Sequence, residues 1–322
     1  MKQIDLIVIG AGASGYAAAI TAAKMGLRVR LIDGSAKTAR KVAASGNGRC
    51  NLSNLDVTPS RYSTSNPERL AEILALGQGK VADFFADLGV LTVADEAGRL
   101  YPWSNRSASV VDALVLSAQA LGVEQTTAQV TGILPQGEGY LVQTDVGAFF
   151  APQVIVAVGS PASPSVGGRD NPWVEALGLA TIPYRPALVA LTVDKRYFSL
   201  KGCRAKAQAT LSDGGKSVRK EEGEVLFGEG TLSGILSMQL SLDLPKCAHP
   251  TVELDLLPTL SEEDVKQALI ARREGQKAEK LFVGLLDKPL AYCLLKEAGV
   301  SLDEISVSDA KLAQVAHRAK HW

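Results

Sequence analysis

The chain has 322 residues, 46% hydrophobic and 21% charged, which excludes a disordered polymer and provides length for about two globular domains. Lys plus Arg and Asp plus Glu each total 34, and a formal net charge of zero argues against a polyanion, nucleic acid included, as the main partner. Four cysteines, Cys50, Cys203, Cys247 and Cys293, are far apart and form no C-x-x-C, which fits a reduced cytoplasmic protein better than a disulfide scaffold.

Residues 4–23 are apolar enough to imitate a secretion signal or a membrane span, but Asp5 and three central glycines fit neither. No targeting segment is read there. Residues 4–9 are a short β-branched run, as in a strand buried on both faces. Gly10, Gly12 and Gly15 follow as G-x-G-x-x-G, and residues 13–25 read as an Ala-rich helix ending near Gly26. A second strand over 28–32 ends at Asp33. Strand, glycine turn, helix, strand and terminal acid in this order are the dinucleotide fingerprint. Gly10 permits the tight turn, Gly12 lets a diphosphate approach the backbone, and Gly15 lets helix and strand pack closely. The free N–H groups at the helix start, at Ala13 and Ser14, face the phosphates. Asp33 is placed to accept from the adenosine ribose and to repel the extra phosphate of NADP. The motif alone leaves NAD and FAD open.

Residues 34–66 form a long Gly/Ser/Asn segment, expected to be a functional loop without regular structure. Within it, "ARKVAASGNGRCNLSN" (39–54) carries Gly46 and Gly48, which allow backbone to lie flat against a ligand, with Arg49, Asn51 and Asn54 as polar groups. A cradle for a flat, polar-edged ring suits this composition better than a covalent centre. Cys50 has no partner thiol near it in sequence and is read as a small packing group.

Together with "GAGASGYAAA", "GRLYPWSNRSASVVDAL", "VIVAVGSPASP" and "GEVLFGEGTLSG", this block resembles, in order and over nearly the whole chain, the bacterial flavoproteins of the aminoacetone oxidase and bile-acid dehydro-reductase-like type. The resemblance implies an α/β Rossmann-like FAD-binding domain carrying an inserted β-rich, barrel-like and helical domain. It implies that Gly10, Gly12, Ala13, Ser14, Gly15, Asp33 and Gly34 hold the ADP half. Arg40, Lys41, Ser45, Gly46, Gly48, Arg49, Cys50 and Asn51 would run beside the diphosphate and flavin, joined by Val130, Ala157 and Gly159. Arg49, Cys50 and Asn51 are expected near the reactive ring as positioning groups. Asp33 stands where many relatives have Glu, one methylene shorter with the same charge. Val158 replaces the Thr of an Ala-Thr-Gly strand end, a lost hydroxyl for which Ser160 is the nearest substitute.

Further along, residues 67–88 read as helix interrupted at Gly77 and Gly79, and 107–120 as an amphipathic helix with Val110, Val111, Leu114 and Ala118 on one face. Segments 129–134, 140–144 and 148–150 alternate as an antiparallel excursion. Residues 153–158 read as a buried strand. Tyr101 and Trp103 either line a substrate cavity or pack under the domain, with packing the expectation for Trp103. The domain boundary falls at 185/186, with 186–256 β-rich and 257–322 helical, the helices covering 262–273, 277–286, 289–298 and 308–320. His317 and His321 have i, i+4 spacing, but two ligands at a fraying terminus make no metal site. His249 is expected at the surface. Relatives of this kind end in a Gly-rich block that contacts the cofactor, and none follows Lys311.

The expected function is an FAD-dependent oxidoreductase that transfers hydride between a small organic substrate and flavin, with O2 or NAD(P)H as the other redox partner. Neither nucleic acid nor membrane is expected as a partner. No Ser-His-Asp or paired-carboxylate constellation points to hydrolysis. Two alternatives stand beside it: a truncated, non-catalytic nucleotide-binding remnant, and an NAD-dependent dehydrogenase, which leaves residues 40–54 without a role.

Overall fold

Alternation of side chains along one short strand decides how the amino-terminal unit is layered. The computed structural model describes residues 3–77 and 80–322, and the chain divides into two units, Met1–Tyr184 and Arg185–Trp322. In the first, strand Leu6–Ile9 lies between Val29–Asp33 and Gln153–Val156, and Glu124–Thr127 extends the sheet beyond Val29–Asp33, all parallel. Leu6 and Val8 face Tyr16, Ala19 and Ile20 of helix Ala13–Lys24 and Val110, Leu114 and Ala118 of helix Ser107–Ala120. Ile7 and Ile9 point the other way, onto Val130, Val142 and Ala151. Those three belong to a separate antiparallel layer, Val130–Gln136, Gly139–Thr144 and Gly147–Ala151. The period of two thus feeds a helical layer on one face and a sheet layer on the other, each buried aliphatic contributing about 1.5–3 kcal/mol.

Three expectations change here. Residues 34–66 are not without structure: they contain a short helix, Arg40–Ala44, a tight turn over Ser45–Gly48 and a two-residue strand, Ser53–Asn54, paired to Arg99–Pro102. The strand at Gln153–Val156 is not buried, with Ile155 and Val156 40% and 38% exposed. Among the described residues it pairs only with Leu6–Ile9, so it is the margin of the sheet. Trp103 is not core but exposed, because its strand stops at Pro102. The helix expected over 67–88 is Pro67–Gly77 and then Lys80–Asp87; Gly79 lies outside the described residues.

Asp5 ties the sheet entrance together. Its Oδ2 accepts from Arg28 N at 2.8 Å and Arg28 Nε at 3.0 Å, and its Oδ1 from Arg28 Nη2 at 2.9 Å. These side-chain and backbone bonds from Arg28 hold its pKa at about 2, below the ordinary 3.8. A pKa lowered by folding adds stability above the ordinary carboxylate range and loses it as pH falls through about 2. Carboxyl-carbon NMR is therefore expected to titrate Asp5 near pH 2, and higher, toward 3.8, in Arg28→Ala, which removes the guanidinium bonds but keeps the backbone donor; a wild-type midpoint near 3.8 contradicts the pairing.

The second unit is an open half-barrel with helices. Its five-stranded antiparallel sheet runs in the order Leu191–Thr192, Thr231–Ser233, Lys216–Phe227, Arg204–Asp213, Pro250–Asp255. The central hairpin turns through Gly214 and Gly215, both at positive φ, as a two-residue turn compatible with strand twist requires. Helices Ile235–Leu240, Glu262–Arg272, Lys288–Glu297 and Asp309–Lys320 bury one face each, through Leu236, Val265, Leu269, Leu290, Leu294, Leu312 and Val315. Residues 277–286 are not the expected helix but a single 3-10 turn, Ala278–Lys280. Ala278 N donates to Glu304 O and Glu279 N to Leu302 O, so these amides are used across the fold rather than along a helix. The carboxy terminus does not fray: Trp322 exchanges both backbone hydrogen bonds with Leu254, at 3.0 and 2.8 Å. No helix among the described residues is long and apolar enough to cross a membrane.

Candidate functional site: a basic cleft at the glycine turn

Backbone sterics build the site. Gly10 sits at φ +103°, and a Cβ there would meet Ala157 O at 2.4 Å. A Cβ on Gly15 would lie 1.7 Å from Gly10 O. Both positions admit only glycine because strand, turn and helix are in backbone contact. Gly12 differs, since a Cβ there meets nothing within 4 Å. It caps helix Ala13–Lys24 with no side-chain hydrogen bond, and the first turn holds no acidic residue. The orphan N–H groups and positive helix end are therefore offered to a cleft of about 490 Å³.

The cleft is lined at one end by Gly10, Gly12, Ala13 and Ser14, with Asp33 and Gly34 at the end of the second strand. Arg40, Lys41 and Ser45 line it from the short helix and its end, followed by Cys50 and Asn51. Val130, Ala157 and Gly159 also line it, Ala157 in backbone contact with Gly10. Gly15 lies beneath the turn, and Gly46, Gly48 and Arg49 do not line the cleft. Arg49 is exposed, its guanidinium 4.5 Å over the ring of buried Tyr101. Ser160 contributes its carbonyl, which accepts from Lys41 Nζ at 2.6 Å.

Asp33 is fixed by its own turn. Its Oδ2 accepts from Ala11 N at 2.7 Å and its Oδ1 from Ser35 N at 2.8 Å, leaving one lone pair on each oxygen for a further donor. Lys37 and Arg169, unforeseen in the sequence, join Arg40 and Lys41, so four cations and one carboxylate, Asp33, line the cleft. Arg169 Nη1 donates to Gln129 Oε1 at 2.6 Å, and a Cβ on Gly34 would strike that oxygen at 2.4 Å. Neither Lys37 nor Arg169 belongs to a spaced motif, and Arg169 is 136 positions from Asp33 (169 − 33). Open glycine backbone, uncapped helix amides and a surplus of cations fit a diphosphate, and Asp33 fits a ribose beside it. That donor set suits a dinucleotide cofactor.

The turn between Ser45 and Asn51 is wound left-handed, with Gly46, Asn47, Gly48 and Cys50 at φ +57°, +55°, +80° and +63°. Cys50 N donates to Ser45 O at 3.0 Å, and the Cys50 side chain is buried. Burial pushes its thiol pKa up, against a smaller pull from Ser45, which disfavours the reactive thiolate at neutral pH. Peptide mapping after brief iodoacetamide treatment is expected to find Cys50 unmodified in the native chain and modified after denaturation. Rapid native labelling contradicts its packing role.

The profile of the HI0933-like protein Rossmann domain matches residues 4–316. The chain is 32% identical over 321 residues to the 3-dehydro-bile acid delta(4,6)-reductase of Clostridium scindens, covering 95% of this chain and 78% of that protein. It is 28% identical over 332 residues to the ribosomal RNA dihydrouridine synthase of Haemophilus influenzae, covering 98% and 80%. Among solved structures, the 3-ketosteroid-delta4-(5alpha)-dehydrogenase of Rhodococcus jostii RHA1 is 15% identical, with a TM-score of 0.44 over 66% of this chain and 60% of that one.

Proposed function

The chain belongs to the HI0933-like family of FAD-binding Rossmann-domain flavoproteins, and we propose that it adds two hydrogens across a carbon–carbon double bond conjugated to a carbonyl in a small organic substrate. The observation that carries this reading is the bond change shared by two relatives aligned over nearly the whole chain. Read as chemistry, a delta(4,6)-reductase of a 3-dehydro compound and a dihydrouridine synthase both saturate such a bond. FAD held in this cleft would supply one hydrogen as a hydride taken up from NAD(P)H, and the second would arrive as a proton from solvent.

The chain's own residues do the holding. Lys37, Arg40, Lys41 and Arg169 balance the diphosphate charge, the amides of Ala13 and Ser14 donate to it, and Asp33 accepts from the ribose. Cys50 and Asn51 line the cleft from the left-handed turn and would pack beside the flavin ring. Arg49, resting on Tyr101, is a positioning group for that turn. The unit Arg185–Trp322 is the substrate domain in this reading. A balanced charge of 34 against 34 favours a small substrate over ribosomal RNA, whose phosphates call for a basic excess.

The test follows NAD(P)H consumption by the FAD-loaded chain with a steroidal 4-en-3-one, with ribosomal RNA, and with neither. Oxidation of NAD(P)H that depends on the enone, with loss of its conjugated absorption, is expected. Turnover with RNA alone overturns the small-molecule substrate. Substrate-independent turnover that releases only hydrogen peroxide overturns double-bond reduction.

A further inference from the structure

Far from the glycine turn in sequence, three side chains with metal-ligating chemistry converge within the second unit. Glu262 opens helix Glu262–Arg272, His317 lies in the last turn of helix Asp309–Lys320, and His321 caps that helix. One ligand atom from each lies within 4.8 Å of the other two. Glu262 Oε2 stands 3.0 Å from His317 Nδ1 and 3.8 Å from His321 Nε2. The two imidazole rings are 4.7 Å apart, tilted by 34°. We infer that Glu262, His317 and His321 bind one late first-row divalent cation, Zn²⁺ being the reference case, and that the bound ion clamps the carboxy-terminal helix to helix Glu262–Arg272.

Four observations support the assignment. With metal–ligand bonds of about 2.0–2.1 Å and tetrahedral angles, neighbouring ligand atoms lie about 3.4 Å apart, and the two measured separations straddle that value. All three side chains are exposed, so rotation about their own side-chain bonds can bring the three ligand atoms to that spacing. Second, His321 Nδ1 lies 3.2 Å from Glu253 Oε1, on strand Pro250–Asp255. A proton on Nδ1 donated to that carboxylate leaves the lone pair of Nε2 facing Glu262, the outer-shell arrangement that orients metal-binding imidazoles.

Third, the helix carrying the histidines is anchored at its end. Leu256 N donates to Ala319 O at 3.0 Å, and Trp322 Nε1 to Glu297 Oε2 at 2.9 Å. A two-histidine spacing that a fraying terminus would disperse is held in place. Fourth, the donor set selects the ion: two imidazoles with one carboxylate suit Zn²⁺, Ni²⁺, Co²⁺ or Cu²⁺, whereas Mg²⁺ and Ca²⁺ call for oxygen ligands. A water completes the coordination at the surface. None of the three residues lines the basic cleft, so the ion's role is to brace the fold. The competing account is an ordinary exposed His–Glu hydrogen bond, which contributes little and responds to no metal.

Thermal unfolding of the full 322-residue chain, stripped with chelator and scanned with ZnCl2 or MgCl2, separates the two accounts. Zn²⁺ at about a hundredfold excess over its dissociation constant is expected to raise the melting temperature by about 4 °C, at one ion per chain by calorimetric titration, with no rise from Mg²⁺. The Zn²⁺-dependent increment is expected to vanish in Glu262→Gln, His317→Ala and His321→Ala, and to persist in His249→Ala. Electron paramagnetic resonance with Cu²⁺ is expected to show two coupled imidazole nitrogens. No Zn²⁺-dependent rise in the wild type, or a rise that survives any of the three ligand substitutions, overturns the site.

Discussion

Gly15→Ala is expected to destabilise the amino-terminal unit by about 3 kcal/mol or more and to abolish cofactor retention. Alanine improves helix propensity by about 1 kcal/mol at an interior position, so a purely local account predicts the opposite sign. Packing decides. The added methyl would sit 1.7 Å from Gly10 O and 2.9 Å from Gly10 C, and both atoms are backbone. Gly10 cannot retreat, because its own position is bounded by Ala157 O, 2.4 Å from where a Cβ would stand. Relief therefore means pulling the helix away from the sheet. Gly12→Ala is the matched control. Its methyl enters open cleft, and loss of the glycine cap costs about 1 kcal/mol or less, while the methyl takes the space of the diphosphate. Urea unfolding followed alongside flavin retention is expected to show Gly15→Ala failing in both and Gly12→Ala failing in retention alone. Equal stability of Gly15→Ala and wild type contradicts the close-packed turn.

Asp33→Ala is expected to cost about 1–3 kcal/mol of stability even before cofactor is added. The reason is the pair of backbone donors, Ala11 N–H and Ser35 N–H, that its two oxygens now accept. Alanine leaves both without that acceptor beside a partly buried turn. Cofactor affinity is expected to fall about 10–100-fold as the ribose acceptor goes, equivalent to about 1.4–2.8 kcal/mol. Asp33→Asn keeps one acceptor oxygen and the shape, and is expected to fall between the two. The pair is measured by denaturant melts of the apo chain and by flavin titration. An Asp33→Ala protein that binds FAD as the wild type does refutes the ribose role, and one that melts with the wild type refutes the structural role.

The parts of the fold legible in the sequence are those where one residue type is the only physical solution. Gly10, Gly12 and Gly15 carry the turn because other side chains meet backbone or ligand there, and helix Ser107–Ala120 shows its buried face at regular spacing. Strand Glu124–Thr127 was invisible: Glu-Gln-Thr-Thr has no apolar member, and only pairing to Val29–Asp33 makes it a strand. Residues 277–286 imitate a helix in composition, but the amides of Ala278 and Glu279 go to residues 304 and 302, and most of the amides that follow make short i to i−3 turn bonds. Within the cleft, Lys37 and Arg169 were missed because cations in irregular loops carry no period. Glu262 stands in a regular helix but was not linked to His317 because 55 residues separate them. Such clusters are made by folding, and local pattern carries no trace of them.

The central claim is that one FAD lies along the glycine turn and the segment from Arg40 to Asn51. Its most direct test is to incubate the purified chain with FAD, desalt it, and record the visible spectrum beside that of Gly12→Ala treated identically. One flavin per wild-type chain, bleached by a reductant and lost in Gly12→Ala, is the result predicted. A wild-type chain that emerges colourless, or a variant that keeps as much flavin as the wild type, contradicts it.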